Sequence, residues 1–542
     1  MSCSARSTAS KTGMNFDDFS QLTVTARTEL PTTLPLRRRS HRSPGYRTSS
    51  AFHPAPANPD KREVNALNTA RSAILYRFLR AVALAVALPV LIAGCAVQPY
   101  NAPLGNNAPD NAYTFANRLP RNSPKLFVVL TFSGGGTRAA AFTLGVLEKL
   151  ATTEILVDGQ PRRLLDEVDV ITAVSGGSFT AAYFGLFGEQ VFTEFPERFL
   201  YRNVTRDMIF SLLSPEQLAR IAAPNFSRTD AVAEYFDRTL FERRTFADLS
   251  SSGNTPYIIL NAADLNTGAT FSFTQMQFDY LCSDLSNYAV ARAVIASAAV
   301  PFLFSPVVLR NYPGPCAGRN PPWVTQALAE RNPADRRFHA ATALNSYSDA
   351  RAVPNVWLID GGIVDNLGVR GSIMSEVNHY GRVLEMAGAF SPDALSRVEH
   401  VLVIASNTQT ISGRDWLTSA DGPGLVDTTQ ALADATTNLL NAETSLLAQQ
   451  SFDMWSAYVN AERCPTCPKV TVDFAVLSFD RIADPVERRE FQTTETSLHL
   501  VREKVDALRA LPSQLLDASP AFGAFLRRVR SVPAAEQLPH TK

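Results

Sequence analysis

Two short apolar runs, each stopped by glycine and each followed by a helix-forming stretch, constrain this 542-residue chain more than any other feature. Leu126–Phe132 runs into Ser133-Gly134-Gly135-Gly136-Thr137-Arg138, and Val168–Val174 runs into Ser175-Gly176-Gly177. A strand made of continuous β-branched and apolar residues has no polar side to give to water, so both of its faces need cover. Residues 138–151 and 178–187 are helix-prone and follow directly. The alternation predicts an α/β fold, a mostly parallel sheet sandwiched by helices. Further strands are expected at 257–261, 270–274, 356–359, 401–404 and 470–476. Residues 428–450 and 485–511 form a helical C-terminal extension that packs on the sheet, while 313–337, rich in Pro, Arg and Asn, is expected as a surface excursion.

The two glycine stops also point to chemistry. Three consecutive glycines between a strand and a helix let main-chain N–H groups converge on one spot, as an oxyanion hole requires. A phosphate loop is the other use of such glycines, but lysine and Ser/Thr at that loop's spacing are missing, as is a Gly-x-Gly-x-x-Gly with a later acidic residue. Ser175 stands where strand turns abruptly into helix, the setting of a nucleophile elbow, with Gly177 permitting the tight turn. Ala173 takes the place of the first glycine of Gly-x-Ser-x-Gly, a departure that leaves the turn feasible because alanine is small. A third strand-like run, 356–359, ends at Asp360-Gly361-Gly362, so Asp360 is expected at the same sheet edge as Ser175.

In order and spacing these signatures resemble the patatin-like phospholipase family. The resemblance rests on a Gly-Gly-Gly-x-Arg/Lys loop at 134–138, the elbow at 173–177 and an Asp-Gly-Gly/Ala motif at 360–362, and extends over roughly residues 126–405. Stretches 261–268 and 296–301, followed by Phe304 and Pro306, are similar as well. The resemblance implies a lipid acyl hydrolase with a Ser–Asp dyad. Ser175 is then the nucleophile and Asp360 the base, Gly134, Gly135 and Gly136 hold the oxyanion, and water releases the acyl group. Arg138 either steadies the glycine loop, meets an anionic head group or is a surface helix charge; Gly361 and Gly362 support the aspartate turn. No metal-binding loop or cluster appears, so neither metal nor other cofactor is expected. Two other readings stay open: an α/β-hydrolase with a Ser–Asp–His triad, drafting His379 or His400, and a non-catalytic envelope lipoprotein on the same fold.

Charge divides the chain. Lys/Arg and Asp/Glu number 51 each, but residues 1–80 hold 13 basic against 5 acidic, leaving 38 against 46 in the rest. That mildly acidic body excludes a nucleic-acid surface. Residues 81–94 are uncharged and Ala/Val/Leu-rich, follow Arg71, Arg77 and Arg80, and are shorter than the ~20 residues a spanning helix needs. The run ends Leu91-Ile92-Ala93-Gly94-Cys95, which resembles a bacterial lipobox; this implies a signal peptide over 71–95, lipidation at Cys95 and, with Ala96 next, an outer-membrane address in the cell envelope. Residues 1–70 are expected to be disordered or mis-assigned, with the true start between Val64 and Leu75. The remaining chain divides into a linker at 96–124, an acyl hydrolase domain at 125–410 and the helix-rich region 411–542. The oligomeric state is not readable.

Four cysteines follow the lipobox. Nearest-neighbour pairing gives Cys282 with Cys316 and Cys464 with Cys467. Cys464-Pro465-Thr466-Cys467 also has the spacing of a redox or half-zinc motif. Residues 192–222 carry Phe192, Phe195, Phe199 and Phe210 among other apolar residues; they line an acyl pocket, form a lid, or are an ordinary buried helix pair.

Overall fold

In a computed structural model of the chain, the described residues are 98–105, 112–115, 122–223, 225–251, 256–301, 303–314, 316, 320–371, 397–411, 415–418, 420 and 422–530. Cys95 and the segments 1–70 and 71–95 lie outside them. Eight strands build the main sheet: β1 Leu126–Phe132, β2 Val168–Val174, β3 Tyr257–Asp264, β4 Thr270–Ser272, β5 Val307–Arg310, β6 Asn355–Asp360, β7 His400–Asn407 and β8 Thr471–Ser478. Hydrogen-bonded neighbours run β8-β7-β1-β2-β3-β6-β5, with β4 against β3. The first five of that order are mutually parallel, while β6, β5 and β4 are antiparallel to their neighbours. The fold is therefore α/β with a mostly parallel sheet. All residues of β1, β2 and β3 are buried, as their lack of a polar face demands.

The flanking helices used below are α1 Gly136–Ala151, α2 Gly176–Phe187, α3 Val290–Ser297, α4 Leu425–Glu462, α5 Arg502–Asp517 and α6 Pro520–Arg530. The sheet crosses the boundary expected at 410/411. Edge strand β8 pairs with all eight residues of β7, and its burial alternates as an edge strand's does. Arg528 of α6 pairs with the buried Asp473 of β8. The expected helix at 485–511 is two helices, Pro485–Gln492 and α5, because 493–501 interrupts it. Residues 322–330 and 336–346 are helices too, with Trp323 and Val324 buried, so the excursion expected at 313–337 is largely packed structure.

Of the insert 192–222, the first part belongs to the core. Phe195, Phe199 and Leu200 are fully buried, and Phe179 stacks on Phe199 with ring centroids 4.7 Å apart and meets Phe236 edge-on at 5.0 Å. A helix pair follows, Val204–Leu212 and Pro215–Ala222, which leaves Ile209, Phe210 and Leu213 exposed. Both cysteine pairs are disulfides, Cys282–Cys316 and Cys464–Cys467.

Register around β3 decides the geometry of the site. Asn261 pairs with Val174 of β2 and Ser272 of β4, so those two strands flank β3 on opposite edges. Ala262 pairs with Phe271 of β4 and Asp360 of β6, which sets β6 opposite β4 as well. Strands β2 and β6 therefore share one edge of β3, running toward each other and meeting end to end. The free stretch of the other edge is closed by the segment expected to be a linker. Tyr113, fully buried, donates its hydroxyl to Ile258 O at 2.9 Å and accepts Ile258 N–H at 2.8 Å. One phenol thus satisfies both backbone groups of a buried edge residue. Farther upstream, Ala102–Pro103 pairs with Ser283–Asp284, so the described parts of 96–124 are built into the domain.

Tyr113→Phe keeps the ring but strips Ile258 of both partners. The expected outcome is a loss of about 1–3 kcal/mol of stability, read as a lower midpoint in thermal or urea unfolding; an unchanged midpoint would contradict this account of the edge.

Candidate active site

The end-to-end meeting of β2 and β6 puts the residue after β2 beside the last residue of β6. Ser175 Oγ donates to Asp360 Oδ2 at 2.9 Å, and both residues are buried. Asp360 therefore lies level with Ser175, as expected from the sequence, but its strand arrives from the opposite direction. Asp360 Oδ1 accepts the Gly362 N–H at 2.8 Å, so the glycine after the aspartate fixes the second carboxylate oxygen. Burial pushes the Asp360 carboxyl up to about 6, against the opposing pull of the Gly362 and Ser175 hydrogen bonds.

Ser175 sits at φ 48°, a left-handed conformation unusual for a residue with a side chain. A backbone of that kind holds only where surrounding contacts over-determine it. Here Ser297, the last residue of α3, supplies them. Its Oγ accepts the Ser175 N–H at 2.8 Å, donates to Asn261 O at 2.6 Å and lies 2.9 Å from Ser178 Oγ. The same corner holds β6: Gly361 N–H donates to Ser297 O and Asp360 N–H to Ala299 O. Asn261 completes the brace, with its amide nitrogen on Thr172 Oγ1 and its amide oxygen accepting from Ser272.

The glycine loop faces the same point. A Cβ on Gly176 would lie 2.2 Å from Gly136 O and 2.5 Å from Gly136 N, so the first turns of α1 and α2 touch through bare backbone. Gly136 has φ +58° and would meet Ser497 O at 2.4 Å, so a side chain there is barred twice. Both helices begin at this contact, and their unpaired N-terminal N–H groups and dipoles favour negative charge beside Ser175. Among the described residues, nothing accepts the N–H of Gly135, Gly136 or Gly176. Gly134 differs from expectation: its N–H is engaged by the backbone oxygen and Oδ1 of Asn366, each at 3.2 Å. Gly177 N–H donates to Ser133 O, which ties the elbow to the end of β1.

Arg138 turns inward. It is buried, with Nε on Thr408 O and Nη1 on Thr494 O, both at 2.8 Å. Desolvation lowers its guanidinium to about 10. Thr408 Oγ1 in turn donates to Gly134 O at 2.9 Å. Arg138 thus clamps the loop from behind, and it is neither a surface charge nor placed to meet a head group.

Of the two histidines the triad reading drafts, His400 is remote from this cluster. His400 opens β7, pairing with Leu126 at the start of β1, whereas Ser406 pairs with Phe132 at the site end. At ~3.3 Å per strand residue, His400 stands about 20 Å from that end. His379 lies outside the described residues. Ser297 and Asn261 fall inside the two stretches whose likeness the sequence did signal, although no role followed from it. Thr408 and Asn366 carried no signal, because each acts through position alone.

Residues 130–373 match the patatin-like phospholipase family. They are a patatin-like phospholipase domain. No curated protein matches the chain. Among solved structures, human GIVD cytosolic phospholipase A2 is similar at 12% identity, with 77% of this chain and 64% of that one covered and a TM-score of 0.37. VipD from Legionella pneumophila is similar at 13% identity, with 73% and 67% covered and a TM-score of 0.26. The chain spans about 64% of the length of the first of these.

A carboxyl held near 6 opposes folding at neutral pH. In the unfolded chain Asp360 ionises near 3.8, so as pH rises from about 4 to 6 the unfolded state loses its proton first and stability falls. Asp360→Asn removes that cost while keeping the shape. The expected gain is up to roughly 3 kcal/mol at pH 7, vanishing below pH ~4, checked by urea unfolding of both proteins across that range.

Proposed function

We propose that this chain is a serine acyl hydrolase that cleaves acyl esters of phospholipids or related lipids through a Ser175–Asp360 dyad. The observation that carries the reading is the direct 2.9 Å hydrogen bond from Ser175 Oγ to Asp360 Oδ2, which leaves no place for an imidazole between them. Membership of the domain in the patatin-like phospholipase family supports the lipid acyl ester as substrate class.

In this mechanism Ser175 Oγ attacks the acyl carbonyl as Asp360 Oδ2 takes its proton. A carboxylate raised to about 6 is a stronger base than an ordinary one, yet is still ionised at neutral pH. The tetrahedral oxyanion meets the free N–H groups of Gly135, Gly136 and Gly176, with the two helix N-termini behind them. Collapse expels the alcohol, which takes the proton from Asp360. Water then attacks the acyl-serine, giving its proton to Asp360, and the fatty acid leaves as Ser175 is restored.

The same proposal includes attachment to the bacterial envelope through a lipid on Cys95, on the outer membrane. It is supported by the apolar run 81–94 that ends in Leu91-Ile92-Ala93-Gly94-Cys95. Among the described residues no helix is long and apolar enough to cross a membrane.

Labelling with a fluorophosphonate followed by hydrolysis of a lipid panel tests the chemistry. Ser175→Ala is expected to abolish both while the protein stays folded; equal hydrolysis by the variant would remove the mechanism. Because the base has to be ionised, kcat/KM should fall tenfold per pH unit below about 6 and level off above it. Ser297→Ala strands the Ser175 N–H at a cost of about 1–3 kcal/mol. If that cost falls on the transition state, kcat drops roughly 5- to 150-fold with KM little changed.

A further inference from the structure

Helix α4 leaves one side bare. No described side chain between 425 and 440 is buried, and the stripe that packs on the domain begins only at Asn441. Along the open side Leu425 is 84% exposed, Leu432 67%, Leu439 61% and Leu446 58%, a leucine at every seventh residue. Seven-residue spacing corresponds to 3.5 residues per turn, the period that keeps a stripe facing a second helix as the two supercoil. Contact with a lipid surface demands no such period. Three positions after each of the first three leucines stand Thr428, Ala435 and Ala442, all exposed and all small.

We propose that this face pairs with the same face of a second copy of the chain, the two helices running antiparallel. In a parallel pair, leucine layers would alternate with alanine layers, and each alanine layer would leave a gap. Reversing one helix sets Leu432 opposite Ala442 of the second copy, Leu439 opposite Ala435 and Leu446 opposite Thr428, so a large residue meets a small one in each of these layers, and Leu425 at the end of the stripe faces Gln449. Charge is compatible with self-pairing. α4 contains neither Lys nor Arg, and the residues flanking the seam include Ala431, Thr436, Asn438 and Ser445. With Glu443 the one charge beside the seam, like charges do not oppose each other, and no charge code selects a different helix. A face without basic residues is also poorly suited to anionic lipid. From Leu425 to Leu446 the stripe runs about 31 Å at 1.5 Å per residue. An interface of that length lies toward the small end for stable association, so the dimer is concentration-dependent.

Sedimentation equilibrium of the full chain in a neutrally buoyant detergent reads the mass directly. The expected result is a reversible monomer–dimer equilibrium, shifted to monomer by L432E/L439E with circular dichroism and ester hydrolysis unchanged. A435L/A442L enlarges the apolar surface but fills the small layers, and is expected to weaken the dimer. A wild type that stays monomeric, an L432E/L439E variant that still dimerises, or an A435L/A442L variant that associates more tightly would each overturn the proposal. A monomeric wild type that floats with phosphatidylcholine–phosphatidylglycerol vesicles, and loses flotation in L432E/L439E, would assign the face to lipid instead.

Discussion

The edge of β3 serves two strands that run in opposite directions, and the rest of the site depends on how they meet. β2 occupies residues 257–261 of that edge and β6 residues 262–264, so no backbone intervenes between Val174 and Asp360. The chain leaving β2 has to turn at once, and it does so at Ser175 with a positive φ. The chain leaving β6 has to turn as well, and does so through Gly361 and Gly362. Two abrupt exits from one point bring hydroxyl and carboxylate together without any long side chain to reach between them. Ser297 is the common fastening, since it binds the backbone of both exits.

Such a junction is costly to hold, and the costs are the same ones that give it reactivity. A serine in the left-handed region, a carboxyl buried without an ion pair among the described residues and two helix N-termini in backbone contact all oppose folding locally. Each also prepares a charge change: the aspartate is ready to take a proton, and the helix ends are ready for an oxyanion. Large buried surfaces on both sides of β1, β2 and β3 supply the stability that offsets this. The glycine loop shows the same division of labour. Arg138 and Thr408 fasten one side of it and Asn366 ties Gly134 to the aspartate turn, while among the described residues nothing accepts the N–H groups of Gly135 and Gly136.

Strand β3 shows where sequence reasoning stops short. Its apolar residues indicate a strand over 257–261, but the strand continues to Asp264, and those last three residues are the ones that receive β6. Ala262 and Ala263 are too small, and Asp264 too polar, to extend an apolar pattern. Asp264 is nevertheless buried because Tyr347 and Thr267 hydroxyls satisfy its carboxylate. Strand β5 went unnoticed because only four residues form it, and the described linker residues packed unexpectedly because one tyrosine closed a free edge.

The sequence by itself determined the fold class, the order of the three glycine signatures and the identity of Ser175 and Asp360 as residues that leave strands through glycine turns. Those are local properties: hydrophobic period and glycine tolerance act over a few residues and need no partner to be read. Tertiary structure alone decided that β6 runs antiparallel, that Gly134 spends its N–H on Asn366, that Arg138 faces inward, and that Ser297 holds the elbow. Each of these depends on which distant segment lies across a few ångströms of space. Register and packing between residues more than ninety positions apart set that, and neither leaves a mark on the local pattern.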